Sequence, residues 1–166
     1  TTFVSSTNAG VTLVGTNDTP TIVSSSNDTP SLTEDSVAAS LNLAASGTVT
    51  FQDVDLIDTH TATFALKSST SSAHLPGYVD NTSQIGTFAL TSGPTGVSEN
   101  TTDTTNTATV GWSYTLADNN AVLQSLAFGE TLTQVYTVTV TDNNGAQVTQ
   151  DVTVTLPNQM QAEYVP

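Results

Sequence analysis

An all-β sandwich is the fold class this sequence predicts, and three observations predict it. Short Thr- and Val-rich segments recur along the chain with turn residues between them, and Thr and Val suit a pleated, half-buried surface. In the clearest of them, Thr107–Leu116, Thr131–Thr141 and Ala146–Leu156, apolar and polar residues alternate with the period of a strand. Asn143-Asn144-Gly145 joins the last two and is a tight-hairpin signal. About seven such strands suit one antiparallel sandwich.

Taken in order, residues 1–16 hold a short alternating strand, Gly10-Val11-Thr12-Leu13-Val14-Gly15. Asn17-Asp18-Thr19-Pro20 and Asn27-Asp28-Thr29-Pro30 then repeat one tetrapeptide, with Ser24-Ser25-Ser26 between the copies. Proline cannot donate to a ladder, so residues 17–30 read as a linker or an exposed edge. Residues 37–43 alternate weakly. Strands at 47–51 and 61–66 flank an acidic stretch, and 67–80, with Pro76-Gly77, reads as a polar loop. Residues 86–90 form a short strand, and the Gly-, Thr- and Asn-rich stretch 92–106 a loop. Residues 120–126 suggest one helical turn at most. The closing strand stops at Pro157, and 158–166 read as an unpaired tail.

The chain of 166 residues suits one domain, long enough to bury a core without staples. It has no cysteine, so neither a disulfide nor a thiolate metal site is possible. Fifteen Asp and Glu face one Lys and no Arg, a formal charge of −14. Such a surface has no means of neutralising phosphates, which excludes nucleic acid as a partner and disfavours anionic membranes. It repels itself and attracts cations. No run of eighteen apolar residues offers a membrane span, so membrane insertion is not expected, and no signal peptide is visible. The chain reads as part of something longer.

Chemistry concentrates in Asp53-Val54-Asp55-Leu56-Ile57-Asp58. In an extended segment Asp53 and Asp55 project the same way, and two carboxylates so placed repel by roughly 1–4 kcal/mol. A hard divalent cation reverses that sign. Calcium takes six to eight oxygen ligands, and an oxygen-only donor set favours it over zinc or copper. An EF-hand is excluded: counted from Asp53, the sixth position is Asp58 rather than Gly, and the twelfth is Phe64 rather than Glu. The ligands would therefore come from distant parts of the chain. Asp142, the two Asn-Asp pairs, Glu34-Asp35 and Glu130 supply further carboxylates near strand ends. A solvated turn is the alternative reading of the aspartates.

Other residues carry less. Trp112 reads as core, and Tyr136 as a core or corner tyrosine. His60 and His74 are too few for a metal cluster, and His60 reads as capping a turn beside Asp58. Lys67 reads as a solvated loop lysine, with an isopeptide link the remote alternative. Asn-x-Thr triplets at Asn17, Asn27, Asn81 and Asn100 are expected by chance in so Thr-rich a chain. No G-x-S-x-G, phosphate loop or H-E-x-x-H occurs, and nothing in the sequence places Glu99 and Glu130 together as a glycosidase pair.

A set of motifs in order resembles the VCBS repeat of giant secreted RTX-type bacterial adhesins. They are Gly47-Thr48-Val49-Thr50-Phe51, the Asp-Val-Asp and Asp-Thr-His that follow, Gly86-Thr87-Phe88, Trp112-Ser113-Tyr114-Thr115-Leu116, Gly129-Glu130-Thr131-Leu132 and Tyr136 to Gly145. The resemblance spans roughly residues 17–156. It implies an immunoglobulin- or cadherin-like antiparallel β-sandwich over 17–157, used in tandem, secreted and extracellular at the bacterial surface, with calcium near module junctions. Residues 1–16 then resemble the last strand of a preceding repeat. By the same resemblance Asn17-Asp18 is the junction segment. The Asp53-Val54-Asp55 and Asp142-Asn143 segments resemble those that gather at a module's N-terminal tip, and Glu34 and Glu130 resemble acidic positions at the opposite tip, while Asp58 stands with Asp53 and Asp55 as a candidate ligand. The chain departs from the pattern after Leu156, where Pro157-Asn158-Gln159-Met160 lacks Asn-Asp-x-Pro, and in its doubled Asn-Asp-Thr-Pro.

The expected function is a non-enzymatic extender module, stiffened by calcium, within an adhesin that serves cell adhesion and biofilm formation. Its partners would be neighbouring repeats of the same chain. The alternative is a module of such an adhesin that binds a glycan or peptide through loops 67–85 and 91–106.

Overall fold

A computed structural model describes residues 14–34, 41–99 and 105–158. Over them the chain forms seven strands: β1 Thr21–Ser26, β2 Asn42–Gln52, β3 His60–Ser71, β4 Thr87–Leu90, β5 Thr107–Ala117, β6 Thr131–Asp142 and β7 Gln147–Pro157. One sheet has the order β1-β2-β5-β4 and the other β3-β6-β7, each antiparallel throughout. This is the strand order of a seven-stranded immunoglobulin-like sandwich.

The first strand divides its allegiance. Residues 21–26 pair with β2, and the chain then crosses to the opposite sheet. There Asp28 and Pro30 carbonyls accept the Thr153 and Thr155 N–H groups, and Ser31 lies parallel to Thr155. Asn27 takes a positive φ of 54° at the crossing, a conformation asparagine tolerates better than most residues. Its side chain donates to the Ser46 carbonyl, and Asp28 accepts from Ser25 and Gln150. The second Asn-Asp-Thr-Pro is thus a sheet-switching corner.

Alternation builds the core. Along β6 every second residue from Leu132 to Asp142 is buried, and along β5 Val110, Trp112, Tyr114 and Leu116 are. Phe88 stacks on Trp112 at 5.6 Å and on Tyr136 at 4.4 Å, joining the two sheets. Gly47 is required opposite Trp112: a Cβ there would lie 2.2 Å from the Ser26 carbonyl oxygen and 2.7 Å from the indole. The buried Gln134 side chain accepts from the Ile85 N–H and donates to the Ile85 carbonyl and the Tyr114 hydroxyl, each at 2.9 Å.

The register fixes two tips. β2 and β6 end, and β3, β5 and β7 begin, at the tip where Asn17 enters, the proximal tip. Asn158 leaves at the other, distal tip, bonded to the turn at 126–130. Twelve residues of β6 separate the tips by roughly 36 Å.

Several sequence expectations are resolved or corrected. Of the two readings of residues 17–30, linker or exposed edge, Thr21–Ser26 takes the second, since it pairs with β2 at the edge of its sheet. β2 and β3 run longer than 47–51 and 61–66, and β3 takes in residues 67–71 that read as loop. Lys67 is not a loop lysine. It occupies a bulge between Leu66 and Ser68 on β3, and its Nζ reaches Asp151 on β7 at 2.5 Å. The hairpin after β6 is longer than a two-residue turn, since the Asp142 carboxylate accepts the Asn144 and Ala146 N–H groups and Gly145 takes φ 94°. The helical suggestion shrinks to a 3₁₀ turn at Leu123–Ser125. The expected strand at 10–15 and the tail at 159–166 lie, but for Val14 and Gly15, outside the described residues.

Removing Gln134 strands the buried Ile85 N–H and leaves the Ile85 carbonyl to the Tyr114 hydroxyl alone, whereas removing that hydroxyl leaves the carbonyl its Gln134 donor and strands no backbone group. Urea denaturation is therefore expected to show Gln134→Ala costing about 1–3 kcal/mol and Tyr114→Phe about 1 kcal/mol or less.

Candidate metal centre

The ends of β2 and β6 and the start of β3 bring distant acids together at the proximal tip. Asp53 is the first residue after β2, and its N–H still bonds the Asn106 carbonyl, so its backbone is held by the sheet. Asp142 is the last residue of β6 and is equally buried, each about 4% exposed. Asp58 reaches them from a tight turn closed by its own N–H on the Asp55 carbonyl at 2.9 Å. One carboxylate oxygen from each of Asp53, Asp58 and Asp142 lies within 4.8 Å of the others, the one such group among the described residues. At that spacing each like-charged pair repels by roughly 1–4 kcal/mol.

The Asn17-Asp18 segment closes over this group. Asn17 Nδ2 donates to Asp142 Oδ2 at 2.9 Å, and the Asp18 N–H donates to Asp55 Oδ2 at 2.6 Å. Asn144, from the β6–β7 turn, donates its side-chain amide to Asn17 Oδ1 and to Asp58 Oδ2. Burial pushes the Asp142 carboxyl up. Donors from Asn17, Ala146, Asn144 and Gly145 outweigh it and hold the group below its ordinary value.

The premise about Asp55 is corrected. Residues 54–58 bend instead of continuing the strand, so Asp53 and Asp55 do not project in parallel. The Asp55 N–H donates to Asp53 Oδ1 at 3.0 Å, and its carboxylate is turned to Asp18. Asn17, Asp18, Asp53, Asp55, Asp58 and Asp142 thus meet at one tip, with Asp55 beside the three-carboxylate group and outside it.

Glu34 and Glu130 sit at the distal tip. The Glu34 N–H bonds the Pro157 carbonyl, and Glu130 accepts the Ala127 N–H in its own turn. Glu34 is buried, as is Asp118, which the sequence reading passed over. Asp118-Asn119-Asn120 repeats the Asp-Asn-Asn of Asp142-Asn143-Asn144 at a strand end, a signal that could have found it.

Two further residues went unrecognised. His60 does not cap a turn with Asp58. It is buried, with Nε2 at 3.1 Å from Asp53 Oδ2 and Nδ1 at 2.8 Å from Glu99 Oε2. The His60 N–H also donates to Glu99 Oε1, so Glu99 grips both ring and backbone. The Phe51 ring meets the imidazole edge-on at 4.8 Å. Glu99 and Glu130 lie at opposite tips, which removes the glycosidase pairing.

As a donor set, three carboxylates, the Asn17 amide oxygen and nearby backbone carbonyls suit a hard cation of calcium type. Rotating the Asn17 amide by half a turn would present oxygen to the carboxylates in place of nitrogen. No helix among the described residues is long and apolar enough to cross a membrane.

No protein-family model matches the chain, and no curated protein matches it. Among solved structures, the chain is similar to the CooA pilin subunit of enterotoxigenic Escherichia coli at 14% identity and TM-score 0.48, over 85% of this chain and 99% of that one. It is similar to the ASH/PapD-like domain 7 of human CEP192 at 11% identity and TM-score 0.49, over 95% and 98%. AggA, the major subunit of aggregative adherence fimbriae type I of Escherichia coli, matches at 12% identity and TM-score 0.36, over 88% and 99%.

A depressed carboxyl stabilises the fold above its ordinary value and ceases to do so as pH falls through its folded value. With chelator present, stability is expected to drop as pH falls below about 3.8, the ordinary value for Asp142. Urea midpoints measured from pH 6 down to pH 2.5 should fall less for Asp142→Asn than for the parent protein.

Proposed function

We propose that this chain is a structural extender module, similar to a VCBS repeat, of a secreted bacterial surface adhesin, and that calcium at its proximal tip stiffens the junction with the module before it. The observation that carries this reading is the convergence of Asp53, Asp58 and Asp142 to within 4.8 Å under the incoming Asn17-Asp18 segment. Asp53 and Asp142 are buried there, and the chain's one lysine is engaged with Asp151 at a different place. A divalent cation would offset the mutual repulsion and tie the junction segment to three strand ends at once.

In this reading Asp53, Asp58 and Asp142 hold the ion through carboxylate oxygens, and Asn17 adds its amide oxygen. Asp55 and Asp18 fix the segment's approach through their backbone-to-carboxylate bond. Asn144 would release Asp58 as the ion takes its place. Bound calcium supplies charge neutralisation and cross-linking. The chain's residues supply a backbone already held by the sheets, so little ordering remains to be done on binding. The motif order described above supports the VCBS likeness and with it an extracellular site of action.

An ion that binds the folded form alone stabilises it by about 2.7 kcal/mol at a hundred times its Kd. A calorimetric melt is therefore expected to rise by several degrees on adding calcium and to return with EGTA. Asp53→Asn with Asp142→Asn should remove the shift. An unchanged melting temperature in millimolar calcium would overturn the reading.

A further inference from the structure

Among the described residues, the loop that carries the aspartates is also the stretch where exposed large apolar side chains crowd most closely. Val54 is 60% exposed, Leu56 45% and Ile57 80%, three of the nine exposed large apolar residues within four positions. Singly exposed apolar residues are ordinary, but a cluster at one tip marks a contact surface. Nothing in the cation reading uses these side chains.

Their place relative to the chain's path says what would cover them. Ile57 lines one cleft with Gly15, Thr16 and Asn17, so the incoming polypeptide runs past it. At the distal tip, the departing Asn158 exchanges backbone bonds with Gly129 and Glu130, directly beside Phe128, which is 60% exposed. Each tip therefore has an exposed apolar side chain beside the point where the chain passes. The sequence links the two passages: Val11-Thr12-Leu13 stands six residues before Asn17, counted from Val11, as Val152-Thr153-Val154 stands six before Asn158. If Asn17 and Asn158 are equivalent positions, the sequence before Asn17 corresponds to the closing strand of a module like this one. From Val14 to Asn17 the chain spans at most about 11 Å, too short to hold a preceding module clear of Ile57.

We infer that the proximal apolar loop is a docking surface for the distal tip of another copy of this chain, with Ile57 packing against the Phe128 turn. The contact is heterologous, one kind of tip on the other, and so propagates into a linear array instead of closing. The proposal rests on the extender reading for its biological setting. Its physical basis is separate, since apolar burial and charge neutralisation are different terms. Two chains of charge −14 repel, so the contact is expected to form in calcium and to be weak without it.

The test uses the full chain in sedimentation velocity at rising concentration, with calcium or with EGTA. Calcium is expected to produce species beyond the dimer. Ile57→Ser and Phe128→Ser alter exposed residues, so their melting temperatures should match the parent. Each should weaken self-association at least about tenfold. An equimolar mixture of I57S and F128S retains one intact proximal tip and one intact distal tip, and is expected to form dimers and nothing larger. Monomers at every concentration, or association untouched by either variant, would overturn the proposal. Dimers of F128S alone would overturn it as well, since they would place proximal tip on proximal tip. Calcium-dependent binding of the monomer to phosphatidylserine vesicles, lost in I57S, would assign the loop to lipid instead. Association that depends on Ile57 and Phe128 but persists in EGTA with 0.5 M salt would leave the contact standing and remove the calcium reading.

Discussion

Like-charge crowding at the proximal tip is the constraint around which the molecule is arranged. Asp53 and Asp142 are buried at the ends of two strands, one from each sheet, and Asp58 is folded back onto them. Nothing basic except a histidine stands near. The local structure spends its donors on these oxygens: backbone N–H groups of the β6–β7 turn on Asp142, the Asn17 and Asn144 amides on Asp142 and Asp58, and His60 on Asp53. A divalent cation would offset the remaining charge far more completely.

Rigidity at the tip comes from the sheets beneath it. Asp53 extends the β2–β5 ladder by one bond, and Asp142 closes the β6–β7 hairpin. Glu99 reaches in from the segment after β4 and holds His60 by ring and backbone, and His60 in turn braces Asp53. The stacked Phe88, Trp112 and Tyr136 keep the two sheets in fixed relation, so the strand ends from both sheets keep their spacing. A cross-link at such a tip would tie the Asn17-Asp18 segment to both layers.

Much of the architecture was legible. Alternation in β5, β6 and β7 reports burial on one face, and that periodicity survives any choice of partner strand. For residues 21–26 the choice between linker and exposed edge was not legible, because Thr-Ile-Val-Ser-Ser-Ser has little pattern of its own and becomes a strand through its register with β2. Lys67 misled for a related reason: a bulge breaks alternation, and the broken pattern reads as loop.

The same division runs through the site. The sequence by itself determined that carboxylates outnumber bases fifteen to one, that Asp53, Asp55 and Asp58 crowd one strand end, and that Asp142 stands before a turn. These are properties of composition and local order. Only the tertiary structure decided that Asp58 and not Asp55 joins Asp53 and Asp142, that Asn17 and not Asn27 covers them, and that Glu99 reaches His60 across 39 residues. Those choices depend on which strand ends the two sheets bring to one tip, and sheet pairing is a long-range outcome that no local pattern of residues encodes.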